Sequence, residues 1–421
     1  MKIFFSVGDP SGDVHGANLI RQMKQISPEV ECVGFGGPKM EEAGCDLHFD
    51  LTSLAVMWLL QVFANLGKFF GLVNQASNYF RQHRPDAVVL IDYPGFNWWI
   101  ARRAKAAGIP VFYYMPPQLW AWGSWRVKKM RRSVDHVLCA LPFEQAWYTA
   151  KGCRATLVGH PFFDEVQRHE YDQAFLKQQQ QAEGPLVAIL PGSRTQEVVR
   201  NLKWFVQAAE YVQKLVPNVR FAVAAFKPAH AEMARQALAN SPVKVEVHCG
   251  KTPELMAAAH CTMSVSGSVS LELLSHAKPT VVLYHVSKLG YWVQKQFRRV
   301  KYITLVNLLS ASDGFSLDLT PYHPGQANAD EILFPEYLTT EDRSGQIAAH
   351  VVEWLQDKDR YREQVARLVA LRDRVAQPGG SQRAAEFILR TLQRPRAAAG
   401  PHYLPHQHVA SSGNWAEKYL A

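Results

Sequence analysis

Short apolar runs alternate with longer amphipathic stretches along most of the chain. In the first half, the apolar runs predict strands at 3–7, 31–34, 87–91, 111–114, 136–140 and 156–158. The second half repeats the pattern, with strands predicted at 186–190, 220–225, 243–249, 261–265 and 280–284, and helices over 197–216 and 229–239. This alternation predicts parallel sheets with crossover helices, arranged as two tandem Rossmann-like, doubly wound α/β domains.

Changes in polarity indicate where these domains begin and end. We predict a first domain over residues 1–167, a polar, glutamine-rich linker over 168–184 and a second domain over 185–341. Helices are expected over 342–392, and whether they pack back on the first domain is left open. The tail, residues 393–421, lacks periodicity and is expected to be loosely ordered.

Composition narrows the class of protein only slightly. The formal net charge of +9 favours an anionic partner, without choosing among a phosphate-bearing substrate, an acidic membrane face and nucleic acid. The six cysteines lie far apart and lack the spacing of a zinc site, so reduced thiols in a cytoplasmic protein are expected. The apolar run at the start of the sequence is too short for a signal peptide.

Candidate chemistry in the first domain lies in loops that follow predicted strands, where doubly wound sheets bind ligands. Asp92 follows the strand at 87–91, and there a structural role in the turn and a catalytic role are about equally plausible. The opening loop has glycines spaced by four, which does not fit the dinucleotide fingerprint. Its candidate binding residues are Asp9, Ser11, Gly12 and Asp13.

Two loops of the second domain have the composition of phosphate-binding loops. The sequence "LPGSR" places Ser193 and Arg194 ahead of a helix, whose N–H groups could hold a diphosphate together with the guanidinium. In "SGSVSLEL", Glu272 could accept hydrogen bonds from ribose hydroxyls or only complement the helix dipole. The residues ahead of that helix are Ser266, Gly267 and Ser268. Two such loops opposite a carboxylate-bearing domain suggest a nucleotide-sugar transferase.

Two apolar segments predict contact with a membrane surface. Residues 54–75 show one narrow polar stripe, which fits a membrane interface and burial between domains equally well. The segment "WAWGSWRVKKMRR" fits an interfacial anchor or a solvated basic helix that follows an aromatic substrate loop. The predicted membrane or acyl-chain residues are Trp58, Phe63, Phe69, Phe70, Trp120, Trp122, Trp125, Arg126, Lys128 and Lys129. No nucleic-acid partner is expected, because the basic residues form no recognisable binding module.

A series of motifs runs in a fixed order through residues 8–309. They include "GDPSGDVHGANLI", "IDYPGFN", "PQLWAWGSWRVKKM", "GHPFFD", "ILPGSR", "SGSVSLEL" and "VKYITLVNLL". In these motifs the chain resembles the bacterial lipid-A-disaccharide synthase family. The resemblance implies the GT-B architecture, with an active-site cleft between the two domains. It also implies transfer of diacylglucosamine from UDP-diacylglucosamine to diacylglucosamine 1-phosphate, with inversion, which gives the β-1,6-linked disaccharide and UDP in lipid A biosynthesis.

The resemblance also implies roles for single residues. Asp92 would take the proton of the acceptor hydroxyl, and Arg194 would neutralise the departing UDP. Glu272 would hold the ribose, and Asn307 would lie near the phosphates or the sugar. Neither a metal nor a cofactor is expected, and the enzyme would be peripheral to the inner face of the cytoplasmic membrane, with a homodimer left open.

Two other classes of function remain open at this stage. One is another GT-B enzyme, such as a different UDP-sugar transferase or an epimerase. The other is a membrane-associated UDP-sugar-binding protein without turnover.

The chain also departs from the usual family pattern. Asp9 stands where glutamate is usual, Gly95 replaces a second acid, and Trp58 replaces a common glycine. After "NLL", the usual Ala-Gly-Arg is absent, and an insertion occupies about residues 311–330. These differences leave the acyl-chain preference and the substrate contacts near residue 310 open.

Overall fold

The computed structural model describes residues 1–55 and 66–393 and consists of two compact units. The first unit comprises Met1–Glu165 and the described residues from Gln377 onward, and the second comprises Val166–Ala376. Each unit contains a parallel sheet flanked by helices, which confirms the predicted α/β class with two doubly wound sheets. All but the first residue of the predicted tail, and Trp58 and Phe63 of the predicted membrane surface, lie outside the described residues.

The sheet of the first unit has seven parallel strands in the order β3-β2-β1-β4-β5-β6-β7. The strands are β1 (Lys2–Val7), β2 (Glu31–Gly36), β3 (Asp46–Asp50), β4 (Ala87–Ile91), β5 (Val111–Tyr114), β6 (His136–Cys139) and β7 (Ala155–Leu157). Only β3 was not predicted. It lies at the edge of the sheet, is only half-buried and contains two aspartates and a histidine, so it has no apolar run.

Helices connect these strands and cover the sheet of the first unit. They are α1 (Pro10–Ile26), α2 (Pro38–Glu42), α3 (Thr52–Ala55), α4 (Leu66–His83), α5 (Pro94–Ala106), α6 (Val127–Ser133), α7 (Pro142–Ala150) and α8 (Phe162–Arg168), which runs into the second unit. The chain returns to the first unit with α18 (Gly380–Gln393).

The return of α18 completes the core of the first unit. Its buried residues Ile388 and Leu389 belong to the same apolar cluster as Ile3 and Val89 of the sheet. Its start is also fixed, because Asp164 Oδ2 accepts a hydrogen bond from the Ser381 N–H (2.9 Å). Within the helical stretch predicted over 342–392, the last helix therefore packs on the first unit, whereas the helices before it belong to the second.

The second unit contains six parallel strands in the order β10-β9-β8-β11-β12-β13. They are β8 (Leu186–Leu190), β9 (Arg220–Ala225), β10 (Val245–Cys249), β11 (Cys261–Ser264), β12 (Thr280–His285) and β13 (Glu336–Thr339). Strand β13 was not predicted, because it begins with a glutamate and follows the insertion.

The helices of the second unit fill the intervals between these strands and continue beyond them. They are α9 (Gln173–Gln181), α10 (Thr195–Leu215), α11 (Pro228–Leu238), α12 (Thr252–Ala258), α13 (Val269–Ser275), α14 (Lys288–Phe297), α15 (Leu305–Ser310), α16 (Ser344–Gln356) and α17 (Lys358–Val375). Helix α9 lies within the predicted linker. Asp172 fixes its start by accepting a hydrogen bond from the Phe175 N–H (3.0 Å) and pairing with Lys251 Nζ (2.6 Å).

The order of the strands indicates where each unit could bind a ligand. The direction in which successive strands are added to the sheet reverses between the neighbours β1 and β4 in the first unit, and between β8 and β11 in the second. Open α/β sheets bind ligands at the carboxyl ends of such strands, because the loops on the two sides diverge there. The four loops selected from the sequence follow these four strands.

Candidate active site

The opening loop of the first unit is shaped by its glycines. Asp9 is the N-cap of α1, and its Oδ1 accepts hydrogen bonds from the Ser11 N–H (3.0 Å) and the Ser11 hydroxyl (2.8 Å). A Cβ atom at Gly8 would overlap the ring of Tyr93, and one at Gly12 would lie 3.0 Å from a methyl group of the β1 residue Val7. The glycine spacing therefore lets this loop lie against the turn after β4, rather than forming a dinucleotide loop.

The turn after β4 has an unusual backbone. Asp92 and Tyr93 both have left-handed φ angles, of 46° and 45°. Such a conformation costs a residue with a side chain roughly 1–2 kcal/mol. It persists only where neighbouring groups hold it, and it concentrates at functional sites.

Three buried side chains hold this turn in place. The Asp92 carbonyl accepts hydrogen bonds from Asn97 Nδ2 (2.7 Å) and from the Tyr113 hydroxyl (2.6 Å). Asn97 Nδ2 also lies 3.2 Å from the Ile91 carbonyl, and its Oδ1 accepts a hydrogen bond from the Ser6 hydroxyl (2.7 Å). The backbone of residue 92, which carries the carboxylate, therefore has a fixed position at the carboxyl end of β4.

The surroundings of Asp92 favour its neutral form. Burial raises the pKa of the Asp92 carboxyl above its usual range, and the nearby negative charge of Asp9 raises that pKa further. The Tyr93 backbone N–H and His15 act in the opposite direction and lower the pKa of this carboxyl. A carboxylate with a raised pKa is a stronger base, as proton abstraction from a hydroxyl requires.

His15 and its neighbours Asn18, Glu165 and His160 were not predicted as site residues. The His15 ring nitrogen Nδ1 lies 3.1 Å from Glu165 Oε1, which also accepts a hydrogen bond from Asn18 Nδ2 (3.3 Å). The ring of His160 lies 6.0 Å from that of His15, and burial, followed by the charge of His15, lowers the pKa of His160 to about 3. One indication in the sequence that His15 belongs to the site is its position inside the opening motif.

Asp13, which was predicted to bind substrate, makes its hydrogen bonds within the first unit. It is buried, and its carboxylate accepts hydrogen bonds from the N–H groups of Gly37, Lys39 and Met40, each at 3.0 Å. These N–H groups lie at the start of α2. The Asp13 carboxylate therefore fixes α2 to α1.

In the second unit, the loop after β8 exposes a guanidinium at the start of a long helix. Ser193 and Arg194 precede α10, and the Arg194 side chain is 80% exposed. Glu197 orients this loop, because its carboxylate lies 3.2 Å from both the Arg194 backbone N–H and Arg194 Nη1. The first N–H groups of α10 and the exposed cation form a site suited to a diphosphate.

The loop after β11 is the second predicted phosphate loop. Ser266 follows β11, and its hydroxyl donates to the Ile303 carbonyl (2.6 Å). Gly267 and Ser268 are exposed ahead of α13. Glu272 is half-buried in the first turn of that helix. The loop therefore lies beside the β8 loop at the switch point of this sheet.

Asn307 lies inside the second unit and not at the predicted substrate site. Its Nδ2 donates to the Phe334 carbonyl (2.7 Å) and to Glu336 Oε2 (2.8 Å), and its Oδ1 accepts from the Phe334 N–H (2.9 Å). Asn307 is fully buried. The amide therefore joins α15 to the start of β13, and both of its N–H groups have partners within the unit.

The aromatic and basic segment divides into a buried and an exposed part. Trp120 is buried, packs edge-on against Phe143 and donates its Nε1–H to Glu144 Oε1 (3.1 Å), so it belongs to the core and not to the predicted surface. Trp122 and Trp125 are exposed. Of the basic residues predicted for this surface, Arg126 is half-buried and Lys128 and Lys129 are exposed.

The first unit exposes a further aromatic pair, and only one of its members was predicted. The ring centroid of the exposed Phe70 lies 5.9 Å from that of the exposed Trp99, over which the Arg102 guanidinium lies at 5.7 Å. The predicted residue Phe69 points inward, with its ring 6.4 Å from that of Tyr93. Apolar residues of α4 therefore approach the turn that holds Asp92.

Two kinds of feature are absent from the described part of the chain. Among residues 1–55 and 66–393, no group of His, Cys, Asp and Glu side chains has an arrangement that could hold a metal ion. Within the same ranges, no helix is both long and apolar enough to cross a membrane.

Comparisons with known proteins agree with the motifs in the sequence. A family model described as lipid-A-disaccharide synthetase matches residues 3–317. The lipid-A-disaccharide synthase of Coxiella burnetii (strain Dugway 5J108-111) is 35% identical over 339 residues, which cover 79% of this chain and 88% of that protein. The enzyme of the same name from Geobacter metallireducens is 32% identical over 400 residues and covers 94% of this chain and 98% of its own.

Solved structures share the fold at much lower sequence identity. UDP-GlcNAc 2-epimerase from Neisseria meningitidis, bound to UDP-GlcNAc, matches with a TM-score of 0.58 and 12% identity, over 93% of this chain and 99% of that chain. The calicheamicin glycosyltransferase CalG4 matches with a TM-score of 0.55 and 14% identity, over 93% and 98%. These similarities show the two-domain α/β fold of GT-B glycosyltransferases and epimerases.

Proposed function

Since the chain belongs to the lipid-A-disaccharide synthetase family, whose members are glycosyltransferases that form the lipid A disaccharide, we propose that Asp92 is the base of this reaction. The proposed donor is UDP-diacylglucosamine, and the proposed acceptor is diacylglucosamine 1-phosphate. The family assignment does not favour an epimerase or a binding protein without turnover.

The proposed reaction is a single displacement at the anomeric carbon of the donor. The acceptor 6-hydroxyl oxygen attacks this carbon while the Asp92 carboxylate takes the hydroxyl proton. The bond from the anomeric carbon to the diphosphate oxygen breaks, and UDP leaves with the electron pair. Attack from the face opposite the leaving group inverts the configuration and gives the β-1,6 linkage.

The position of the Asp92 carboxylate is the observation that carries this proposal. It lies at the switch point of its sheet, on a left-handed turn whose carbonyl is held by Asn97 and Tyr113. Its raised pKa, caused by burial and then by Asp9, makes it a stronger base than an exposed aspartate.

We assign binding of the departing diphosphate to the second unit. Negative charge develops on the leaving oxygen, and the exposed Arg194 guanidinium and the N–H groups at the start of α10 are suited to stabilise it. The exposed backbone of Gly267 and Ser268 and the half-buried Glu272 are proposed to contact the nucleotide.

The acylated substrates require contact with a bilayer, for which the first unit offers a surface. We define the first-unit surface as the exposed residues Phe70, Trp99, Arg102, Trp125 and Lys128. Aromatic side chains beside cations are typical of the headgroup region of anionic membranes. We propose that this surface binds the inner face of the cytoplasmic membrane, and the homodimer stays a prediction.

The central test is product formation by the Asp92→Asn variant. Purified protein is incubated with labelled UDP-diacylglucosamine and the acylated glucosamine phosphate, and the disaccharide is quantified under single-turnover conditions. Loss of a general base predicts a rate lower by roughly 10²–10⁴-fold, with UDP affinity and thermal unfolding unchanged.

Asp135→Asn is the matched control. Asp135 also lies at a strand end of the first unit, but it precedes β6 and lies at the amino edge of the sheet, paired with Lys105 (2.7 Å). Its variant is expected to keep a near-normal rate of transfer. A near-normal rate in Asp92→Asn would remove Asp92 from the mechanism.

A further inference from the structure

Helix α14 of the second unit presents its apolar side to solvent. The structure describes α14 in full and buries none of its residues. The exposed fractions are 72% for Leu289, 60% for Trp292, 40% for Val293 and 50% for Phe297. Four large apolar side chains within nine positions thus remain in water.

The geometry of the helix shows that this exposure is directional. At about 100° per residue, the four apolar side chains lie within an arc of roughly 140°. The half-buried Tyr291 and Gln294 lie on the opposite side and face the body of the unit. The half-buried Gly290 lies at the edge of the apolar arc, and one exposed polar residue, Gln296, lies within it. An ordinary surface helix buries its apolar side, so the orientation of α14 is the reverse of the usual one.

The charged residues of α14 and of the sequence that follows it all have the same sign. The exposed Lys288 and Lys295 lie next to each other along one flank of it, and the exposed Arg299 follows the end of the helix. From residue 286 to residue 312 the sequence contains neither aspartate nor glutamate. A helix with an exposed apolar stripe and cations as its only charged residues matches an anionic lipid surface, which attracts the cations while its acyl region accepts the apolar side chains.

We infer that α14 is a second membrane-contact element, which lies in the headgroup layer of an anionic bilayer. Leu289, Trp292 and Phe297 insert among the upper acyl chains, and Lys288 and Lys295 stay at the level of the lipid phosphates. This inference goes beyond the proposed function, which assigns membrane contact to the first unit. It rests on the proposed function only because the substrates of that function are lipids.

The test measures binding of the full chain to sedimented vesicles of phosphatidylcholine mixed with phosphatidylglycerol. The variant is Leu289→Ser/Phe297→Ser. The control, Leu215→Ser/Phe226→Ser, makes the same two changes at residues of the same unit that are 61% and 65% exposed. We expect vesicle affinity at least about tenfold weaker in the α14 variant and unchanged in the control. Equal affinity in the two variants would overturn the inference.

A second pair of variants tests the charges. Lys288→Gln/Lys295→Gln is compared with Lys244→Gln/Lys358→Gln, which removes two exposed lysines elsewhere in the unit. Each lysine near an anionic surface is expected to strengthen binding about fivefold at low salt, so only the first variant weakens, and only on vesicles that contain phosphatidylglycerol. An equal loss on vesicles of phosphatidylcholine alone would contradict the charge argument.

The same variants distinguish membrane contact by α14 from self-association and from binding by the first unit alone. If the apolar side of α14 instead packed against a second copy of the chain, Leu289→Ser/Phe297→Ser would change the sedimentation coefficient without weakening vesicle binding, and the inference would fail. Phe70→Ser/Trp125→Ser tests the first-unit surface separately. Loss of vesicle binding in that variant alone would leave the proposed function intact and refute the role of α14. Each of these variants and each control is checked by thermal unfolding and by UDP binding.

Discussion

Removal of one hydroxyl group that holds the Asp92 turn should slow catalysis without weakening substrate binding. Tyr113 is fully buried, and its hydroxyl donates a 2.6 Å hydrogen bond to the Asp92 carbonyl. Burial raises the pKa of Tyr113 far above its usual range, so the hydroxyl stays a donor at any working pH. Tyr113→Phe removes this bond and leaves the ring in place.

The magnitude follows from the two left-handed residues. Together they cost roughly 2–4 kcal/mol, and the hydrogen bonds to the Asp92 carbonyl help to offset that cost. Loss of the Tyr113 bond should lower the free energy of unfolding by about 1 kcal/mol, since Asn97 still donates to the same carbonyl. The turn can then relax, and a displacement of the base approaching 1 Å would lower kcat by roughly 10–100-fold.

The assay compares Tyr113→Phe with Tyr148→Phe. Tyr148 is also fully buried in the first unit and donates a 2.6 Å hydrogen bond to a backbone carbonyl, that of Pro117. Both variants should lose similar stability in thermal unfolding, but only Tyr113→Phe should lose kcat, with KM nearly unchanged. If the two variants had the same kcat, the hydroxyl of Tyr113 would have a structural role alone and the positioning argument would be refuted.

Three further predictions address single roles. Asp9→Asn keeps a capping acceptor but removes a charge that raises the pKa of Asp92, so the acid limb of the kcat/KM profile should move to lower pH; an unmoved limb would contradict this coupling. Arg194→Ala should weaken UDP binding by about 10–100-fold, measured by calorimetry, while the unfolding temperature stays constant because the side chain is exposed. Asp13→Ala should lower the free energy of unfolding by roughly 3 kcal/mol, one for each backbone bond lost, with UDP affinity unchanged; full stability with lost affinity would restore the binding role predicted from the sequence.

The strands that the sequence predicted well are those whose apolar residues are consecutive. The strand β4 is buried on both faces, so its sequence is an unbroken apolar run. By contrast, β13 is equally buried but begins with Glu336, whose carboxylate accepts hydrogen bonds from the N–H groups of Ile303 (2.6 Å) and Thr304 (3.1 Å). A strand whose polar residue is satisfied by a distant loop cannot be recognised from its own residues.

The same limit applies to the contacts of the predicted site residues. The positions of the loops follow from the alternation of strands and helices, and they were predicted. The partner of each polar side chain depends on contacts that are remote in sequence. Asp13 caps a helix that begins 25 residues later, and Asn307 binds residues of β13 and its approach. Trp120 likewise pairs with Glu144 inside the core, although Trp122 and Trp125 of the same segment are exposed.

The effect of glycine at position 95, where the family usually has an acid, can be judged from the groups that surround Asp92. Gly95 lies in the first turn of α5, is exposed, and has no atom within 4 Å of the position that a Cβ would occupy. An acid there would gain only the favourable interaction with a helix N-terminus, typically about 0.3–1 kcal/mol. The groups that fix the neighbouring base are Asn97 and Tyr113, and both are buried, hydrogen-bonded and present. Since these two residues hold the carbonyl of Asp92 and residue 95 does not, the loss of the second acid leaves the geometry of the base intact.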